Sequence, residues 1–478
     1  MKSRIVRPVR KGGRTGKQNK RNRRIGETQP LRPVSTSYAP GGRVSGETLP
    51  MRTAEVRAGY AGYRKSLDRR REVVSTPRTH SRPAKRRRAK RSWLGSIIST
   101  KSMAAEQYFD FDLLLVVIFL LGFGLVMLYS TSAYEAEVEL GNDLYYFSRQ
   151  ALIGAVGFIV MIFVSRIDYH VYGAFAMEIY VIAMILMALV QTPLGKTLNG
   201  ARRWIRLPGN LTLQPAEITK IAVILFIAYE LCRLGRKAYT LAGIIRVFVF
   251  GAIASGGVLF LTDNLSTAII VMGITCILIF VSHPKLKLFL FIIAVGILVA
   301  VVGIAILSVT AVNSDNFRLQ RIISWLNPEA TADSGSYQVM QGLYAIGSGG
   351  LFGKGLGNST QKLGVIPEAQ NDMILVVICE ELGIFGAFII LLLFGILLYR
   401  LMFIAQNAPD LYGSLIATGI FAHIALQVTL NIAVVTGMLP TTGITLPFIS
   451  YGGTAIVFLL AEMGIALGIS RRIRLEGE

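Results

Sequence analysis

Ten apolar runs, each near twenty residues, punctuate the chain at 112–132, 148–166, 171–192, 216–235, 242–262, 265–282, 286–312, 373–399, 411–436 and 447–470. A helix needs about 20 such residues to cross bilayer hydrocarbon, and there each backbone N–H and C=O must find its partner inside the protein. The pattern predicts an all-α polytopic membrane protein with about ten transmembrane helices. The composition agrees, with 53% hydrophobic and only 16% charged residues.

The connections orient the spans. Short cytoplasmic loops are rich in Lys and Arg, and here Arg233, Arg236 and Lys237, then Lys285 and Lys287, then Arg400, then Arg471, Arg472 and Arg474 fall on one side. The loop from Glu135 to Asp143 is acidic and falls on the other. Both termini are then expected in the cytoplasm, with the membrane a bacterial plasma membrane.

The net charge of +22 is unevenly spread. Met1 to Ser102 holds 29 of the 50 Lys and Arg and 5 of the 28 acids, a net +24 that leaves the remainder at −2. A segment this basic and poor in apolar residues cannot bury enough surface to fold alone. Residues 1–107 are therefore expected to be a basic disordered cytoplasmic tail, 108–474 the membrane domain and 475–478 a cytoplasmic end. Runs such as Lys85 to Arg91 suit anionic lipid or a partner protein better than nucleic acid, because they adjoin a membrane body. An apolar stretch does not closely follow Met1, so the first span is expected to serve as the membrane signal. Cys232, Cys276 and Cys379 sit in apolar runs without ligand spacing and read as small reduced core residues.

Two connections on the outer side break the charge rule. Lys196 to Pro215 carries Arg202, Arg203 and Arg206, and the glycine-rich stretch of about 313–372 between spans seven and eight carries Arg318, Arg321, Lys354 and Lys362. Arg offers a bidentate fork to phosphate oxygens and Lys a point charge, so cations at an outer membrane surface suit a pyrophosphate; contact with lipid headgroups or nearby acids is the other reading. Carboxylates complement them: Asp263, Glu368, Asp372, and Glu380 with Glu381 inside the eighth run. Asp372 stands at the outer lip, where it could be a general base for a sugar hydroxyl or, like Asn371, a helix N-cap. Glu380 and Glu381 are expected to pair internally. Glu217 and Lys220, three residues apart on one helix face, either pair with each other or turn Lys220 to a phosphate.

Read together, NGARRWI from Asn199, LQPAEITK ending at Lys220, GLYAIGSGGLFGKGLGNSTQK ending at Lys362, PEAQND from Pro367, EELG from Glu380 and GMLPTTGITLPFISYGGT ending at Thr454 resemble the SEDS (shape, elongation, division and sporulation) family of peptidoglycan glycosyltransferases. The resemblance runs from about Phe111 to Arg474. ITLPFISYGG, with Thr445 before Leu446, is closer to the division branch than to the elongation branch, where proline is common at that place. TDNLSTA at Thr262 to Ala268 departs from a Pro-Asp-x-Gly-Thr pattern, keeping Asp263 and Thr267.

The resemblance implies that Asp372 is the catalytic aspartate. It would take the proton from the 4-hydroxyl of the acceptor GlcNAc of one lipid II, and that oxygen would attack C1 of the donor muramoyl sugar. Undecaprenyl pyrophosphate would leave with inversion. Arg202, Arg203, Arg206, Gln214, Lys220, Arg318, Arg321, Lys354, Lys362 and Ser450 are the candidates for binding the substrate and its pyrophosphate. Asp263, Glu368, Glu380 and Glu381 would support the site. A divalent cation, Mg or Mn, is the one cofactor this chemistry leaves room for, with its ligands unspecified. The implied partners are lipid II, a single-pass class B penicillin-binding transpeptidase and other division proteins. Two rival classes stay open: a lipid II flippase, which internal acids such as Glu178 and Glu380 would suit, and a scaffold for division proteins recruited through the tail.

Overall fold

The computed structural model describes residues 108–198, 201–206, 212–283, 317–331 and 335–474. The predictions for the tail, for the seventh run and for 475–478 lie outside the described residues. The other nine runs coincide with helix: α1 Phe111–Leu140, α2 Tyr145–Val164, α3 Tyr169–Ala174 with α4 Ala176–Leu189, α5 Pro215–Leu234, α6 Leu241–Leu261, α7 Leu265–Ser282, α10 Ile374–Asn407, α11 Leu411–Val435 and α12 Ala455–Ser470. Between them lie a small sheet, β1 Gly195–Leu198, β2 Ala201–Arg206 and β3 Thr212–Leu213, and two helices, α8 Phe317–Leu326 and α9 Tyr337–Gly349. Among the described residues six helices are long and apolar enough to cross a membrane.

Burial divides the helices by what they face. On α2, Leu152, Ile159 and Phe163 are each more than 60% exposed, an apolar surface that only hydrocarbon would make favourable. On α11, residues from Leu415 to Ile424 are mostly buried, so this helix is central. It packs against α10, α7 and α5, while α12 lies along α2 and α6 along α7.

Two polar clamps join α1 to α10. At one end the fully buried Asp110 caps α1 by accepting from Leu113 N–H at 2.8 Å, and its carboxylate pairs with Arg400 at 2.8 Å. Towards the other, Ser130 donates to both oxygens of Glu381 at 2.9 and 2.7 Å. From Glu381 to Arg400 an α-helix rises about 28 Å, which matches the hydrocarbon thickness.

α10 is broken at Gly383, whose φ of 70° and ψ of −169° only glycine adopts easily. A break leaves carbonyls and N–H groups unsatisfied, and the chain after α9 supplies their partners. Lys354 and Gly355 N–H donate to the Glu380 and Glu381 carbonyls, both at 2.9 Å, and Ile384 and Phe385 N–H donate to the Gly350 and Leu351 carbonyls at 3.0 and 3.1 Å. The glycine-rich segment thus crosses the gap in α10 as a splint.

Four expectations need correction. The acidic stretch from Glu135 is not a loop: α1 continues to Leu140, because Ala and Glu favour helix after the hydropathy has fallen, and it stops at left-handed Gly141. The arginine-bearing loop is an antiparallel sheet, with Thr197 paired to Arg202 and Arg206 to Thr212. The last run becomes helical only at Ala455, since Pro447 and the Gly452–Gly453 pair hold its first part irregular. Cys276 is exposed rather than in the core.

Candidate functional site

Asp372 sits where the chain enters α10. The N-cap position belongs to Met373 and no side chain caps the helix, so the capping role falls away. The Asp372 backbone carbonyl accepts from Asn431 Nδ2 at 2.9 Å, and its Oδ1 receives a long contact from Gln338 Nε2 at 3.5 Å. The α-carbon of Gly443 faces the other oxygen closely enough that a methyl there would lie 3.8 Å from Oδ2. Burial pushes the carboxyl up to about 6, with nearby Glu368 adding to the rise and Arg321 opposing it. Asp372 is half-buried rather than freely open, so the site is a recess walled by α8, α9 and the segment after α11.

That segment has no regular structure, yet side chains from three helices hold its carbonyls. Arg321 of α8 donates to Thr441 O at 3.1 Å and Ser266 of α7 to Thr442 O at 2.7 Å. Asn431 and Gln427 of α11 hold Ile444 O at 2.7 Å and Thr445 O at 3.0 Å. Ser450 accepts from Leu446 N–H at 2.8 Å and is buried, closing a turn of the same segment.

The cations do not converge as expected. Lys354 pairs with Glu380 at 2.6 Å and Lys362 with Glu381 at 2.7 Å. Thr360 Oγ1 adds a bond to Glu380 at 3.1 Å, and Ser359 Oγ donates to the same carboxylate. Both lysines stand against buried acids at the α10 break, so the two glutamates are paired within the protein. Lys220 is likewise paired within the protein: it is 1% exposed and bonds Glu217 at 2.9 Å and Gln427 Oε1 at 3.1 Å.

The remaining candidates make other contacts. Arg202 folds back on the carbonyl of Thr192. Arg203 donates to the carbonyl of Asp263 at 3.0 Å, and Asp263 is exposed with a φ of 47°. Arg206 is exposed at the end of β2, and Gln214 is the N-cap residue of α5 without a side-chain capping bond. Glu368 is exposed and accepts from Asn371. Arg318 lies in the first turn of α8, and its side chain is outside the described residues. Among the described residues no group of three or more His, Cys, Asp or Glu could hold a metal ion.

Sequence reasoning missed Gln338, Gln427 and Asn431, which carry no charge, and the buried pair His423–Glu462 at 2.7 Å. The signal for the last was a histidine and a glutamate in the middle of apolar runs, where titratable side chains mark function by default.

Fold and site together define a polytopic membrane protein with an aspartate-centred recess at the end of the bundle remote from Arg400. The comparisons with known proteins give the family. Residues 111–475 match the FtsW/RodA/SpoVE family model, described as a cell cycle protein, and the chain belongs to this family. It is 40% identical over 369 residues to Stage V sporulation protein E of Bacillus subtilis, covering 76% of this chain and 98% of that one. It is 38% identical over 368 residues to the probable peptidoglycan glycosyltransferase FtsW of Trichlorobacter lovleyi, covering 77% and 94%. Among solved structures it matches a chain of a peptidoglycan synthase complex that coordinates polymerisation and crosslinking, with a TM-score of 0.63, 25% identity and coverage of 77% and 99%. The rod shape determining protein RodA of Thermus thermophilus matches with a TM-score of 0.56, 26% identity and coverage of 77% and 98%.

Proposed function

We propose that this protein is a peptidoglycan glycosyltransferase that polymerises lipid II at the outer face of the bacterial plasma membrane, with both termini in the cytoplasm and septal wall synthesis at division as the process served. The observation that carries the reading is Asp372, held by its own carbonyl in a half-buried recess beside Arg321, with its carboxyl raised to about 6. A carboxylate so raised is still mostly ionised at neutral pH, yet it is more basic than an ordinary one, which suits a general base.

Asp372 accepts the proton of the acceptor GlcNAc 4-hydroxyl as that oxygen bonds to C1 of the donor muramoyl sugar. The C1–O bond to undecaprenyl pyrophosphate breaks on the opposite face, and negative charge gathers on the departing phosphate. Arg321 beside Asp372, and Arg203 and Arg206 on the sheet, are the arginines that would meet that charge, and such stabilisation is where much of the rate should arise. A class B penicillin-binding transpeptidase is the proposed partner; the match to a synthase complex supports it.

A flippase would call for a site at mid-membrane. Among the described residues the buried polar column around Lys220 would suit such a site, but its members are bonded to one another. Polymerisation of purified lipid II with the partner present tests the proposal: glycan strands that form with wild type and vanish with Asp372→Ala support it. Translocation of labelled lipid II without polymer would replace it with transport.

A further inference from the structure

Five side chains form a continuous buried column across α5, α11 and α12. Glu217 bonds Lys220 at 2.9 Å, Lys220 Nζ donates to Gln427 Oε1 at 3.1 Å, Gln427 Oε1 meets His423 Nε2 at 2.9 Å, and His423 Nδ1 meets Glu462 at 2.7 Å. Each is at most 8% exposed. Buried polar groups at this depth are costly unless all are satisfied, so the column has to be read bond by bond.

The amide of Gln427 has one permitted orientation. An ammonium only donates and a carbonyl only accepts, so the atom facing Lys220 must be oxygen and the atom facing Thr445 O, 3.0 Å away, must be nitrogen. With the oxygen of Gln427 turned to His423, Nε2 of the imidazole must carry hydrogen and donate. Hydrogen-bond valence thereby places a proton on Nε2, which coordinates alone leave open. Glu462 completes the ring by partnering Nδ1.

The column ends on the strap of the proposed reaction centre. Gln427 holds Thr445 O, and Asn431, one turn further along the same face of α11, holds both Ile444 O and Asp372 O through its one amide nitrogen. Gly443, on the same strap, faces the Asp372 carboxylate. A shift of the Gln427 amide would move the strap, and with it the floor against which the base is aimed.

We propose that His423 is a positioning residue for the transfer reaction: its Nε2–H fixes the Gln427 amide, which with Asn431 sets the 441–446 strap against Asp372. This deepens, and rests on, the reading of Asp372 as the reaction centre. The charged and titratable groups on the column are Glu462 from α12 and Lys220 and Glu217 from α5. Of the other elements packed on α11, α10 carries Cys379, Glu380, Glu381, Tyr399 and Arg400, with Asp372 just before it at the Asn431 turn, α3 carries Tyr169, His170 and Tyr172 at the far end, and α7 and α9 carry Cys276, Tyr337 and Tyr344.

The test uses the full chain with its transpeptidase partner and purified lipid II. His423→Leu removes the donor and should lower kcat by about 10- to 100-fold, the usual cost of a displaced reactive group, with KM within about twofold. His423→Gln places an amide N–H near the position of Nε2 and should restore kcat to within about threefold of wild type, on the same geometric reasoning. Nitrogen NMR of histidine-labelled protein at pH 7 should find Nε2 of His423 protonated, a readout that needs no variant to fold. A folded His423→Leu with wild-type kcat, or an unprotonated Nε2, overturns the inference. Activity in Asp372→Asn would instead overturn the reaction-centre reading, while the NMR result decides the Nε2 proton independently.

Discussion

Removing one partner of the Lys362–Glu381 pair should destabilise the protein far more than removing both. Lys362 Nζ lies 2.7 Å from Glu381 Oε1, with side chains 7% and 0% exposed, and Ser130 bridges the two by accepting from Lys362 at 3.0 Å and donating to Glu381. Glu381→Leu leaves an ammonium in a closed space, and breaking a buried pair this way costs about 3–5 kcal/mol. Lys362→Met strands the carboxylate at a similar cost. The double variant should recover most of the loss, because apolar replacement of a whole buried pair is often neutral. Thermal unfolding in detergent reads this out. At about 2–4 °C per kcal/mol for domains of 150–250 residues, each single variant should melt on the order of 10 °C below wild type, with the double variant near it. Single variants that melt with wild type but lose polymerisation would refute the reasoning and return Lys362 to phosphate binding.

Two further outcomes follow from the site and the splint. The Asp372 carboxyl, raised to about 6, favours the folded state most when protonated, a contribution present in acid and lost as pH climbs from about 4 through 6; Asp372→Asn should therefore be more stable than wild type above pH 6, by about 1–3 kcal/mol, and melt higher, with the difference fading towards pH 4. Equal melting at pH 7.5 would contradict the burial. Gly383→Ala forces a side chain into left-handed backbone with a methyl 2.4 Å from Leu351 O, so the yield of folded protein in detergent should fall sharply, and wild-type yield would mean that α10 does not need its break.

Much of the bundle was legible because apolar runs of spanning length leave the chain few alternatives. What escaped lay where polarity and length decouple. The splint at Gly383 was hidden because EELG and the glycine-rich segment are distant in sequence, and a helix break satisfied by another segment has no local period. The same distance made Lys354 and Lys362 look available: in sequence they are loop cations, in space they are counter-ions to Glu380 and Glu381. The sheet was missed because β1 and β3 are short, and their pairing rests on Ile205 turning inward. Asp372 could be singled out, since an acid at the lip of an apolar run beside misplaced arginines is unusual in one dimension. Asn431 and Gln427, which hold it and its strap, are uncharged amides and gave no such signal.

The central claim is that Asp372 performs the transfer, and the direct measurement is glycan polymerisation from purified lipid II by the protein with its transpeptidase partner, wild type against Asp372→Asn. Asparagine keeps the size and the backbone bond to Asn431 and removes only the base. The account predicts long glycan strands from wild type and none above background from the folded variant. Strands from Asp372→Asn at a near-normal rate would contradict it.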